Sequence, residues 1–141
     1  MEIHRTNLNG VVEIRAKRSG DDRGWFSETY KELALLDAGI NINFVQDNES
    51  FSASTGTLRG LHYQTTPHAQ DKVIRVISGS ILDVAVDIRR DSPSFGQHVA
   101  IRLTADDGNQ VLVPAGFAHG FCTLEPNTRV AYKNCLSFVY N

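Results

Sequence analysis

Short runs of β-branched and other apolar residues recur along this chain, separated by glycine, proline and small polar residues. The clearest case is residues 73–77 (VIRVI) and 81–88 (ILDVAVDI), which flank the Gly-centred segment 78–80. Two such runs around a glycine turn predict a β-hairpin. Alternation within the second run sorts its side chains into two faces: Asp83 and Asp87 with Ile81 and Ala85, and Leu82, Val84, Val86 and Ile88 opposite them.

Eight further segments have strand character, whereas residues 32–36 (ELALL), before Gly39, are typical of one short helix. The candidate strands are residues 11–15, 24–29, 44–51, 58–64, 97–103, 110–113, 120–124 and 128–133. Many short strands with turn signals between them predict an all-β chain: a double-sheet barrel of jelly-roll type with short peripheral helices. The mouth of such a barrel can hold a ligand.

Length and charge limit the class of protein. The 141 residues fit a single domain, and the formal net charge of −2 argues against a protein built to bind nucleic acid. The N-terminus lacks the apolar stretch of a signal peptide, and no window approaches the length of a membrane span. We therefore expect a cytoplasmic protein with no membrane contact.

The segment 58–64 (LRGLHYQ) places a cation, a glycine, an imidazole and a phenol close together on one candidate strand. Strict alternation would put Arg59 and His62 on opposite faces, whereas a bulge at Gly60 would turn both towards one cavity. His62 is a candidate general base, because a free imidazole titrates near neutral pH. A single strand histidine is more often structural or surface-exposed, and that interpretation stays open.

Three other side chains could carry chemistry. Lys72 begins the strand that carries Ile74 on the same face, and a buried cation there needs an acid or an anionic ligand. His119 lies among small and aromatic residues, and an inward Tyr132 could donate its hydroxyl proton to a substrate. The plainer alternatives are a lysine that extends to solvent at the strand start and a tyrosine that packs in the core.

Two polar segments nearer the N-terminus could recognise a phosphate or a nucleobase. In residues 21–28 (DDRGWFSE), Arg23 could hold a phosphate in its planar fork. In residues 44–50 (FVQDNES), Gln46 and Asn48 carry amides. The simpler interpretations are a turn before an amphipathic strand and a solvated strand.

A metal site in a barrel of this kind would need about three histidines and a carboxylate to converge. His62 and His119 are present, but Gln64 stands where an H-x-H pair would need a histidine, and His68 falls in a candidate loop. We therefore expect no metal, and this counts against a metal-dependent dioxygenase.

Five segments together resemble the dTDP-4-dehydrorhamnose 3,5-epimerases in order and spacing. They are residues 58–64, 71–76 (DKVIRV), 83–89 (DVAVDIR), 92–96 (SPSFG) and 114–121 (PAGFAHGF), and residues 23–28 and 44–48 fit the same pattern. The resemblance extends to about Lys133. It implies a cupin-type jelly roll (a double-stranded β-helix), a homodimer, and neither a metal nor an organic cofactor.

The resemblance also implies a reaction, the epimerisation of dTDP-4-keto-6-deoxyglucose at C3, C5 or both in deoxysugar biosynthesis. By the match of motifs, His62 removes a proton next to the C4 ketone, Lys72 stabilises the enolate oxygen, and Tyr132 returns a proton from the opposite face. The matched substrate-binding positions are Arg23, Phe26, Glu28, Gln46, Asn48, Arg59 (at the diphosphate) and His119.

The end of the sequence departs from the family pattern. Family chains run some tens of residues further and carry an aspartate that orients the base histidine. Residues 134–141 (NCLSFVYN) lack the usual acidic, tyrosine-rich pattern, with Phe138 as a candidate contact to the nucleobase. We expect this tail to be absent. Without the tail aspartate, His62 should be a weaker base, unless Asp83 or Asp87 points inward beside it.

Two alternatives to a working epimerase stay open from the sequence. One is a catalytically weak sugar-nucleotide-binding subunit, which would bind the ligand without exchanging its protons. The other is a 3,4-ketoisomerase of related fold, which would move the carbonyl instead of inverting a centre.

Overall fold

A computed structural model describes residues 1–135, which form twelve β-strands and one helix. In chain order they are β1 (Glu2–Arg5), β2 (Val12–Arg15), β3 (Arg18–Asp21), β4 (Gly24–Ser27), α1 (Glu32–Asp37), β5 (Gln46–Ser52), β6 (Leu58–His62), β7 (Lys72–Ser78), β8 (Ser80–Asp87), β9 (His98–Thr104), β10 (Asn109–Val113), β11 (Phe117–Thr123) and β12 (Thr128–Asn134). Phe138 lies outside the described residues. The all-β architecture predicted from the sequence is confirmed.

Two antiparallel sheets face each other across the barrel. The large sheet has the strand order β1-β2-β10-β7-β12-β5, and the small sheet has the order β6-β11-β8-β9. Among the strands of residues 1–135, β3 and β4 pair only with each other and form a separate hairpin. Each main sheet combines strands that are far apart in the sequence. A cavity between the sheets is therefore lined by residues from distant parts of the chain.

The hairpin predicted for residues 73–88 is wrong. Both strands exist, but β7 pairs with β10 and β12 in the large sheet, whereas β8 pairs with β9 and β11 in the small sheet. Gly79 joins them with a φ of +86°, and a Cβ there would lie 2.3 Å from the hydroxyl oxygen of Thr128. This glycine therefore turns the chain from one sheet to the other instead of reversing it within one sheet.

The core lies between the sheets and contains the inward side chains of both. Ile74 and Val76 of β7 meet Ile81 and Ala85 of β8 and Phe121 of β11 there. The buried face of β8 is the one that carries its two aspartates, while Leu82 on the opposite face is 38% exposed. Alternation predicted these two faces, but the apolar content of each did not reveal which was buried.

The outer face of the large sheet has an apolar layer of its own. Leu35 of α1 packs there on Val73 and Leu112, flanked by Tyr30 and Phe44. Strand β10 is therefore covered on both faces, and all five of its residues are buried. Helix α1 is the only helix in residues 1–135, where the sequence predicted short peripheral helices.

None of the described residues belongs to a helix long and apolar enough to cross a membrane.

Candidate active site

A cavity of about 640 Å³ lies between the two sheets. We call it the central cavity. Its walls come from β5, β7 and β12 of the large sheet and from β6 and β11 of the small sheet. Its polar lining side chains are Asn48, Ser50, Arg59, His62, Lys72, His119 and Tyr132.

Strand β6 bulges at Gly60, which is one of the two arrangements that the sequence left open, and the bulge brings Arg59 and His62 to the same cavity. Strand β6 pairs with β11 with a register shift, so that His62 lies opposite His119 but Arg59 lies opposite Phe121. Gly60 has a φ of +110°, and a Cβ there would lie 2.7 Å from both the Cα of Gly120 and the carbonyl oxygen of His119. Only glycine permits this close approach of the two strands.

Lys72 occupies the large-sheet wall of the central cavity, on the face predicted from alternation with Ile74. Its side chain is half-buried, and this burial lowers the pKa of its ammonium group, while the nearby carboxylate of Asp83 opposes that shift. A cation with reduced hydration beside a cavity is suited to stabilise a developing negative charge.

His119 is buried on the small-sheet wall and bonded to an acid. Its Nε2 lies 2.7 Å from the Oδ2 of Asp83, which is 2% exposed. The sequence had left open whether Asp83 or Asp87 stands beside His62. The bond shows that Asp83 is paired with His119, and Asp87 binds Arg89 with its Oδ2 3.0 Å from the Nη2.

Within residues 1–135, the ring of His62 has no hydrogen-bond partner. Among these residues no acid therefore orients His62 as the resemblance implies for a base. The expectation that His62 is a weaker base for lacking such an acid stays a prediction from the sequence.

Tyr132 faces the cavity from the large sheet. It lies opposite Asn48 in the pairing of β12 with β5, and both side chains line the central cavity. Tyr132 and His62 therefore approach the cavity from different sheets. A flat ligand between the sheets would have the phenol on one side and the imidazole on the other.

Arg59 is fixed at the cavity by bonds to β5. Its Nε donates to the hydroxyl of Ser52 at 3.0 Å, and its Nη2 donates to the carbonyl oxygen of Phe51 at 2.9 Å. Gln46 does not line the cavity but lies next to it, because its Nε2 donates to the Oδ1 of Asn48 at 3.1 Å. A guanidinium and neighbouring amides are suited to a phosphate group.

Three predicted binding residues lie elsewhere in this chain. Arg23 and Phe26 line a shallow groove on the β3–β4 hairpin, where Arg23 pairs with Asp21 and Phe26 is 74% exposed. Glu28 lines a groove on the outer face of the large sheet. The chain is held there because Gln110 of β10 donates to the carbonyl oxygen of Thr29 at 2.8 Å.

Two polar residues near the cavity were missed as site residues. Alternation in β8 had placed Asp83 on the face of Ile81, but its bond to His119 depends on a strand pairing that the sequence does not show. Ser50 lines the cavity with its hydroxyl oxygen buried and, within residues 1–135, without a hydrogen-bond partner.

Among the described residues, no three His, Cys, Asp or Glu side chains converge as a metal site requires.

The fold and the cavity define a class: a jelly-roll barrel with an acid–base active site. An imidazole, an ammonium and a phenol in one cavity can remove a proton, stabilise the charge that remains and return a proton. Residues 5–141 match the family profile described as dTDP-4-dehydrorhamnose 3,5-epimerase, and the chain belongs to that family.

Individual relatives agree with this assignment. The dTDP-4-dehydrorhamnose 3,5-epimerase of Sinorhizobium fredii is 48% identical over 133 residues, which cover 94% of this chain and 68% of the relative. The crystal structure of the Bacillus anthracis enzyme with TDP and PPi bound has a TM-score of 0.96 at 48% identity, covering 98% of this chain and 79% of that one. The Legionella pneumophila epimerase in complex with dTDP-4-keto-L-rhamnose has a TM-score of 0.93 at 41% identity, covering 98% and 73%.

Proposed function

We propose that this chain epimerises dTDP-4-keto-6-deoxyglucose at C3, C5 or both, with His62 as the base, Lys72 at the C4 oxygen and Tyr132 as the acid. The observation that carries the proposal is that these three side chains line one cavity although they come from β6, β7 and β12. The family assignment and the relatives of this chain supply the substrate class.

The placement of His62 and Tyr132 on different sheets supports inversion as the outcome. A carbon centre inverts when its proton leaves from one face and another proton arrives at the opposite face. The small sheet supplies His62 and the large sheet supplies Tyr132. A sugar ring lying between the sheets therefore has a proton acceptor on one face and a proton donor on the other.

The position of Lys72 supports an enolate as the intermediate. A carbon acid next to a ketone is far weaker than an imidazolium, so proton removal by His62 needs stabilisation of the charge that develops on the C4 oxygen. A preorganised cation in a partly dehydrated site supplies this stabilisation. Since C3 and C5 both flank C4, one enolate site serves both centres.

The nucleotide end of the substrate is assigned to the polar side chains beyond this trio. Arg59 is the cation that would neutralise the diphosphate, with Gln46 and Asn48 beside it and His119 at the sugar. A direct role for Arg23, Phe26 and Glu28 would require a second copy of the chain, since in one copy they lie outside the central cavity. This fits the homodimer that the resemblance implies. The dimer and a cytoplasmic location remain predictions.

Proton exchange in deuterated water tests the proposal. The protein is incubated with dTDP-4-keto-6-deoxyglucose in deuterated water, and the C3 and C5 protons are followed by NMR. Loss of both signals with formation of the epimer supports a 3,5-epimerase, and loss of one identifies a single-centre epimerase. A product with its carbonyl moved would instead identify a ketoisomerase.

Three variants assign the roles in the same assay. His62→Asn should abolish exchange because the base is missing, and Lys72→Met should slow exchange by about 100-fold or more because the enolate loses its cation. His98→Asn, at an exposed position of β9, is the matched control and should exchange at the wild-type rate. Binding of dTDP without any exchange in the wild-type protein would mean a binding subunit and would overturn the proposal.

A further inference from the structure

Asp83 is a buried acid next to two groups of the central cavity but is not itself part of the cavity wall. It lies on the inward face of β8, opposite Phe121 of the neighbouring strand β11. From there its Oδ2 reaches the Nε2 of His119 at 2.7 Å. His119 and Lys72 line the same cavity, and at this position the charge of Asp83 favours the ammonium form of Lys72. One carboxylate therefore connects a residue of the small sheet with a residue of the large sheet.

The bond to Asp83 determines which nitrogen of His119 carries a hydrogen. An ionised carboxylate can only accept, so the Nε2 must be the donor. In the neutral ring the Nδ1 is then the acceptor, and in the protonated ring both nitrogens donate. A buried acid that orients an imidazole in this manner also stabilises the imidazolium when it forms.

The same carboxylate provides the acid that a half-buried Lys72 requires. Burial disfavours the charged form of an ammonium group, and a neutral amine would give little stabilisation to an enolate. Asp83 acts against this effect of burial. The other titratable or charged groups that share a cavity with Lys72 are Arg59, His62, Tyr63, His119 and Tyr132. Asp83 is therefore the acid that opposes the burial of Lys72 among the described residues.

We propose that Asp83 is a positioning residue that keeps Lys72 charged and the ring of His119 fixed, so that both face the C4 oxygen of the substrate as a pair. The inference rests on the proposed function and adds a second polar group, His119, to the enolate site. Asp83 acts through its two neighbours and does not touch the substrate.

Asp83→Asn is the test, because the amide keeps the shape and an acceptor oxygen for His119 but removes the charge. The matched control is Asp87→Asn on the same strand and the same face. Asp87 is also fully buried, but it binds Arg89, Ser92 and Ser94, and it does not line the central cavity. Any general effect of neutralising a buried acid in β8 is common to both variants.

The direct measurement is the titration of Lys72 by NMR in protein labelled with ¹³C at the lysine side chains. The chain has four lysines, Lys17, Lys31, Lys72 and Lys133, and the spectrum of Lys72→Met assigns the signal. In Asp83→Asn the midpoint of the Lys72 titration should shift to lower pH, because the charge that favours the ammonium form is gone. In Asp87→Asn it should stay at the wild-type value.

Kinetics give a second readout. We expect kcat for Asp83→Asn to fall by about 10- to 100-fold with KM nearly unchanged, since the binding groups remain. The alkaline limb of its pH profile should move to lower pH together with the Lys72 titration. A wild-type titration of Lys72 and wild-type kcat in Asp83→Asn would overturn the inference while leaving the proposed function intact.

The wild-type protein provides a test that needs no variant at position 83. Long-range ¹H–¹⁵N spectra resolve the ring nitrogens of the five histidines, and His119→Asn assigns the signals of interest. The neutral ring of His119 should be protonated at Nε2. An Nδ1-protonated ring would contradict the positioning by Asp83. Failure of the wild-type protein to exchange any sugar proton would instead refute the proposed function.

Discussion

At the scale of single residues, a variant of Tyr132 distinguishes proton removal from inversion of the carbon centre. Tyr132→Phe keeps the ring that lines the cavity but removes the only hydrogen-bonding atom of the side chain. His62 can then still remove a proton and return a deuteron to the same face. We expect formation of the epimer to fall by about 100- to 10,000-fold, while exchange with retained configuration persists.

The matched control for this variant is Tyr30→Phe. Tyr30 packs edge-on against Phe44 on the outer face of the large sheet, with the ring centroids 5.8 Å apart. Its hydroxyl is remote from the proton transfer, so both exchange and inversion should stay at wild-type rates. NMR in deuterated water measures the two processes in one sample. Undiminished inversion in Tyr132→Phe would assign the acid to another group.

Gly60 allows a residue-scale test of the bulge. In Gly60→Ala the new methyl group would overlap the backbone of β11, with distances of 2.7 Å to both the Cα of Gly120 and the carbonyl oxygen of His119. Gly56→Ala has a similar positive φ, +81°, but nothing lies within 4 Å of its Cβ. The control should therefore lose only about 1–2 kcal/mol of unfolding free energy, the cost of a left-handed backbone.

Urea denaturation measures both glycine variants. We expect Gly60→Ala to lose about 3 kcal/mol or more, because backbone overlap adds to the strain of the dihedral angle. It should also lose activity, since the bulge brings Arg59 and His62 to one cavity. Equal losses in the two variants would mean that β6 can move away from β11 without cost.

At the scale of elements, the end of β8 is held by a buried carboxylate. The Arg89 guanidinium, with the hydroxyls of Ser92 and Ser94, holds the pKa of Asp87 well below its ordinary value. A carboxyl group with a depressed pKa stabilises the fold above its unfolded-state pKa of about 4 and loses that contribution as the pH falls towards the folded-state pKa. Wild-type stability should therefore decline below about pH 4.

Asp87→Asn isolates this contribution because it cannot ionise. At neutral pH the variant should be less stable than wild type, and the difference should shrink below about pH 4 by at most about 1.4 kcal/mol per pH unit. Urea denaturation between pH 7 and pH 3 measures this. A difference that stays constant with pH would show that Asp87 acts through packing alone.

Most strands were recognised from the sequence, including the polar strand β5 and the exposed, aromatic strand β4. Strands β7, β8, β9 and β12 were predicted to within about two residues at each end because β-branched runs mark them. Strands β1 (EIHR) and β3 (RSGD) were not predicted, since they are short, largely exposed and defined by the neighbour that each pairs with. Side-chain pattern carries information about burial, whereas pairing partners follow from the packing of the whole chain.

The same limit applies to the site. The bulge at Gly60 was predictable because a glycine between two functional residues is a local signal. The placement of β7 and β8 in different sheets was not predictable, and neither was the bond between Asp83 and His119. Both depend on contacts between strands. The resemblance to a family named the residues of the site but did not show which of them one copy of the chain brings together.

At the scale of the whole molecule, the two sheets contribute different chemistry to the central cavity. The small sheet provides His62 and His119, and the large sheet provides Lys72, Tyr132 and Asn48. Asp83 connects the two walls through its bond to His119 and its charge near Lys72. Proton transfer at a ring held between the sheets therefore depends on the spacing of the sheets, which the apolar core below the cavity sets.

The position of Phe26 on the β3–β4 hairpin allows a prediction about a protein made of two copies of the chain. The hairpin is held at its base, where the guanidinium of Arg18 donates to the carbonyl oxygens of Ala105 and Asp106 and lies 3.9 Å from the ring of Trp25. Phe26 remains exposed outside the central cavity. If the site of one copy is completed by Phe26 of a second copy, then defects at Phe26 and His62 in different chains should compensate each other.

Mixing two inactive variants tests this arrangement. Phe26→Ala and His62→Asn are each expected to be nearly inactive alone. After equal amounts are unfolded together and refolded, half of the dimers contain one chain of each kind, and each of these has one site free of both substitutions. Activity should therefore return to about a quarter of the wild-type value.

The control mixes His62→Asn with Lys72→Met. These two residues line the cavity of one and the same copy, so every site in the mixed dimers keeps at least one defect and activity should not return. Restored activity in the first mixture and none in the second would establish that the hairpin of one copy serves the cavity of the other. No recovery in the first mixture, with dimers confirmed by light scattering, would show that Phe26 of one copy does not complete the cavity of the other.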